Sequence, residues 1–147
     1  MNEAQVEARA FRDRIVKYVQ SRLADGEPPK AIAFIAVPGD RIATAQIAQV
    51  LQTQPHDKVA DELRGFAARE AAKWSLLVLP AMTTVAELPG RQSVALFFLE
   101  VRGEPAERTV AVFDATMRSV VRYGPLIQRD DSTAKFTDIL GPPRFLN

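Results

Sequence analysis

The sequence predicts an α+β fold: a mostly antiparallel sheet of four to five strands, clustered in residues 74–123 and covered by helices. Three observations carry this. Residues 74–79, 93–101, 109–115 and 120–123 each read as a strand, with turn residues between them. Strands grouped together, rather than alternating with helices, mark α+β. The second of these strands, SVALFFLEV, is apolar on both faces. Val94, Leu96 and Phe98 point one way; Ala95, Phe97, Leu99 and Val101 point the other. Such a strand belongs at the centre of a sheet covered on both sides.

The 147 residues fit one domain, 1–147, large enough to bury a core without disulfides. From the start, residues 1–24 hold a long helix over Glu3–Leu23. Asn2 caps it, and Glu3 and Glu7 sit where the helix dipole favours acids. Ala4, Ala8, Phe11, Ile15, Val19 and Leu23 form its apolar stripe, with Val6 and Tyr18 widening it. Gly26 and the following prolines end it.

Residues 31–73 read as a strand and two helices. Ala31–Val37 is a seven-residue apolar run closed by Pro38-Gly39-Asp40. Periodicity does not separate a buried strand from a buried helix here; the length and the closing turn point to a strand. Asp40 then caps a helix over 41–52, with Ile42, Ile47, Val50 and Leu51 apolar. Asp57 caps a second helix over 58–73, with Val59, Leu63, Phe66 and Ala67 apolar. The strand block 74–123 follows, its first strand ending before Pro80. Residues 130–147 form a short helix and a tail in which Pro142 and Pro143 present Phe145 and Leu146 as a docking end.

Charge and composition narrow the function classes. Nineteen basic residues against eighteen acidic ones give a net charge of +1, so no overall field draws in nucleic acid. No cysteine is present, which removes disulfides, thiolate nucleophiles and sulfur-ligated metals. The longest apolar runs fall far short of the ~20 residues a membrane helix needs. The N-terminus shows no signal-peptide pattern, so a cytoplasmic protein without a membrane is expected.

The candidate chemistry is thin. His56 is the single histidine, expected in an exposed loop, and it cannot build a two-histidine metal site alone. Asp114 reads as a turn residue at a strand end, though with Glu100 it could form a carboxylate pair. Pro38-Gly39-Asp40 before a helix lacks the glycines and lysine of a phosphate loop. Arg102, Arg108, Arg118 and Arg122 are diluted by Glu100, Glu104, Glu107 and Asp114, so cross-strand ion pairs are their expected use.

These readings lean against an enzyme and call for no cofactor and no metal. The favoured function is a non-catalytic protein-binding or assembly module, self-associating or docking another chain. Its candidate interaction residues are Phe11, Ile15, Tyr18, Arg108, Arg118, Arg122, Phe145 and Leu146. One alternative is a winged helix-turn-helix-like DNA-binding protein using helices 41–52 and 58–73. A second is a small-ligand domain with a pocket between sheet and helices.

Overall fold

The computed structural model of the chain describes residues 2–27, 29–84, 88–114, 119–125, 136 and 138–140. Its elements run in the order α1 (Glu3–Ala24), β1 (Ile32–Val37), β2 (Arg41–Gln46), α2 (Ala48–Thr53), α3 (His56–Arg69), β3 (Trp74–Thr84), β4 (Arg91–Val101), β5 (Glu107–Asp114) and β6 (Ser119–Pro125). The strands form one sheet in the order β2-β1-β3-β4-β5-β6, with every pairing antiparallel.

The class is therefore α+β, but the sheet has six strands rather than four to five. The extra strand is β2, where the sequence suggested a helix over 41–52. Val37 and Arg41 are register partners, so Pro38-Gly39-Asp40 is a hairpin turn and not a helix cap. Gly39 (φ 89°) and Asp40 (φ 55°) both take the left-handed backbone that tight hairpins use, which glycine and aspartate tolerate. Backbone pairing with β1 then overrides the helical preference of Ala43 and Ala45. The helix that remains is α2, six residues long.

β4 is the centre of the apolar block, as its pattern predicts. Val94, Leu96 and Phe98 join the core under α3, while Ala95, Phe97, Leu99 and Val101 join the core under α1. Phe97 is fully buried and Phe98 nearly so. On the α1 side, Phe11 meets Phe34 edge-on at 5.0 Å and lies 5.1 Å from the fully buried Trp74. The N-terminus of α1 is closed by a capping box: Asn2 Oδ1 accepts from the Gln5 N–H at 2.8 Å, and Gln5 Oε1 accepts from the Asn2 N–H at 3.1 Å. Gly26 (φ 85°) turns the chain out of the helix. Three positions depart from the expected stripe. Val16 is buried in it, while Val6 and Tyr18 are exposed.

α3 starts two residues earlier than expected, at His56 with Pro55 as the capping residue, and it ends at Arg69 rather than near 73. Ala71 (φ 51°) reverses the chain, and Lys73 N–H donates to the Ala36 carbonyl at 2.9 Å to start β3. β3 runs on through Pro80 to Thr84 instead of ending at Leu79. Its pairing with β1 stops at Ile32–Val78, so beyond that point β3 has no second strand partner among the described residues. Proline, having no N–H, is tolerated there. The helix expected over 130–140 falls largely outside the described residues.

Candidate functional site

The two outer strands of the sheet are built differently. β6 pairs with β5 through a register shift between Val112 and Phe113, and it ends at Gly124-Pro125. Tyr123 on β6 contacts Phe97 edge-on at 6.3 Å, and its hydroxyl lies 3.3 Å from the Thr109 hydroxyl. A bulge, a terminal proline and core contacts are devices that blunt a sheet edge. β2 has none of them. It is unbroken over six residues, five of them exposed, and Arg41 at its start is its one charged residue. Ile42, Thr44 and Gln46 lie on the α1 side of the sheet, opposite Ala36, Phe34 and Ile32.

Geometry explains why β2 is bare. Strands are spaced about 4.8 Å apart, so six span roughly 25 Å, while one helix is about 10 Å wide. α1 lies across β3, β4 and β6, and Arg9 and Arg12 reach Glu107 on β5 at 2.9 and 3.5 Å. One helix does not also cover β2.

Two clefts flank the step where β1 stops and β3 continues. On the α1 side, a cleft of about 430 Å³ lies between Ile15, Tyr18 and Val19 of α1 and Ile32 and Phe34 of β1. Its rim carries Arg22, which is ion-paired with Glu27 and stands 5.9 Å over the Tyr18 ring. On the opposite side, a cleft of about 330 Å³ lies among α2, the start of α3 and β3. His56 and Lys30 line it. His56 is thus not an exposed loop residue. It is the first residue of α3, partly buried, with its ring 5.7 Å from that of Phe136.

Among the described residues the buried carboxylate is Glu100. It lies on the α3 side of β4, directly across from the buried Ser75. Its two oxygens accept the backbone N–H groups of Ile139 and Leu140 at 3.0 and 3.1 Å, fastening this segment to the sheet. Burial raises the Glu100 carboxyl above the ordinary carboxylate range. Those two N–H groups and Arg108 oppose the shift, while Asp138 adds to it. Ser75 Oγ has no hydrogen-bond partner among the described residues, so nothing here activates it as a nucleophile. Asp114 does not join Glu100. The β4–β5 register puts Glu107 opposite Leu99, and Asp114 lies seven residues further on, roughly 20–25 Å away along β5.

The sequence-proposed interaction residues do not form one patch. Ile15 and Tyr18 share the α1-side cleft. Phe11 is committed to Phe34 and Trp74. Arg108 sits on the other face of the sheet, 5.9 Å over the Phe98 ring. Arg122, opposite Val112, belongs to that same face. Arg118, Phe145 and Leu146 lie outside the described residues. The DNA-binding alternative needs a helix over 41–52, and Arg41–Gln46 is a strand. Sequence reasoning missed β2 itself. The available signal was Pro-Gly-Asp between Val37 and Arg41, followed by the alternating Ile42 and Thr44.

Among the described residues no cluster of histidine, aspartate and glutamate is arranged to hold a metal ion, and no helix is long and apolar enough to cross a membrane. No protein-family model matches the sequence, and comparison with curated proteins and with solved structures also yields no match.

Proposed function

We propose that this chain is a non-catalytic assembly module that pairs edge β2 with β2 of a second copy. The observation behind this reading is the open, unbroken and nearly uncharged edge Arg41–Gln46, in a fold whose other edge is bulged and ends in proline. An edge strand carries a row of backbone donors and acceptors ready to add a strand. A second copy is the partner this edge suits best. Antiparallel pairing of identical strands is self-complementary under a two-fold axis. It also sends the two Arg41 side chains to opposite ends of the pair, whereas parallel pairing would bring them together. The side chains at the middle of β2, Ala43, Thr44 and Ala45, are small, so they offer little relief for reading a foreign peptide.

Six residues make an edge about 20 Å long. That contact is smaller than the ~1,000 Å² of a tight interface, so the expected dimer is reversible and fills at high micromolar concentration. Light scattering with two variants tests the idea. Thr44→Lys and Thr44→Glu each place like charges face to face near the two-fold axis and should be monomeric. Mixed one to one, they should associate again. If either variant alone dimerises as the parent does, or if the mixture stays monomeric while the parent dimerises, pairing through β2 is wrong.

A further inference from the structure

We propose that the cleft beside Lys30 and His56 binds a small organic anion, a carboxylate carried on a compact apolar body. The cleft exists because β1 begins at Ile32, opposite Val78, while β3 continues through Leu79 and Pro80. That step leaves a hollow of about 330 Å³ under α2 and the first turn of α3. The volume is at the lower end for small-molecule sites, which suits a single ring or a short chain. Ala31, Ala48, Leu51, Leu79 and the Phe136 ring supply apolar wall. Among the described residues the polar lining is Lys30, Gln52 and His56, with no acidic side chain.

Charge selects the ligand class. Lys30 carries an ammonium group and forms no ion pair among the described residues. Gln52 and His56 each offer N–H donors, and an ionised carboxylate only accepts. His56 is also the first residue of α3, so the positive end of that helix lies at the same wall. The Phe136 ring lies 5.7 Å from the imidazole on this wall. A neutral ligand of the same shape would fill the apolar wall and gain nothing from Lys30. An amine would be repelled by it.

Titration of the full chain with benzoate and with benzamide, followed by backbone and side-chain NMR shifts, tests this. Benzoate should bind at least tenfold more tightly than benzamide and shift signals of Lys30, Leu51 and His56. Lys30→Met should lower benzoate affinity about tenfold and leave benzamide unchanged, because Lys30 is exposed and its loss does not disturb the core. His56→Gln keeps a donor and should cost less. The Thr44→Lys variant should bind benzoate like the parent, which separates this proposal from pairing at β2. Equal affinity for benzoate and benzamide, no shifts at the cleft with benzoate, or parental binding by Lys30→Met would overturn it.

Discussion

β4 and β2 are strands of the same sheet with opposite surroundings. β4 is buried on both faces, between a core under α1 and a core under α3. β2 is exposed on both faces and pairs with one neighbour. The backbone hydrogen bonding is the same in kind. The difference is what happens to the side chains, and it decides what each strand contributes. β4 holds the fold together, since burying a single large apolar side chain is worth about 1.5–3 kcal/mol. β2 buries almost no side chain and, among the described residues, pairs on one side only. A strand that the core does not require is free to serve something outside it.

The largest expected effect lies on β4. Phe97→Ala should lower stability by about 3–5 kcal/mol in denaturant unfolding, and Phe98→Ala by a similar amount. A neutral result at either position would mean that its face is open and that the contrast with β2 is smaller than described. Next comes the polar exception on β4. Glu100→Ala removes the acceptor for two backbone N–H groups and should cost about 1–3 kcal/mol.

Glu100 also gives a pH dependence whose sign follows from burial. Its carboxyl is raised in the folded state, so the fold favours the protonated form. The associated stability is fully present below the unfolded value of about 4.3 and is lost as pH rises through the folded value. Thermal midpoints of the parent, measured against Glu100→Gln from pH 4 to 8, should fall relative to the variant as pH rises. A difference that is flat, or that grows with pH, would show that the two N–H groups and Arg108 outweigh burial.

The sequence made the centre legible and the edge illegible for one physical reason. A doubly buried strand needs apolar residues at every position, and Ala95, Leu96, Phe97, Phe98 and Leu99 announce that directly. An exposed edge strand is under no such constraint. Arg41 to Gln46 carries residues that also suit a helix, and only its pairing with β1 settles the matter. The passage of β3 through Pro80 was hidden for a related reason. It depends on where β1 stops, and local composition does not record that. The α1 stripe was readable down to Asn2 and Gly26 because helix capping is local chemistry. The cleft beside His56 was not, since its lining joins residues from 29 to 136.

Smaller effects sharpen the contrast at the surface. Arg9 and Glu107 are each about one third exposed, so breaking their pair should cost under about 1 kcal/mol, and less at high salt. On β2, Thr44→Lys should leave the unfolding free energy of the monomer within about 0.5 kcal/mol, because the residue is exposed. A large loss there would place β2 among the elements that hold the fold.

Whether copies meet at edge β2 is read out by amide hydrogen exchange as a function of protein concentration. About half of the amides of an edge strand point away from its single neighbour and exchange freely in a monomer. Pairing at β2 should raise protection across Arg41–Gln46 as concentration is raised and leave protection across β6 and along α1 unchanged. Protection at β2 that is independent of concentration, or a rise confined to β6 or α1, would contradict it.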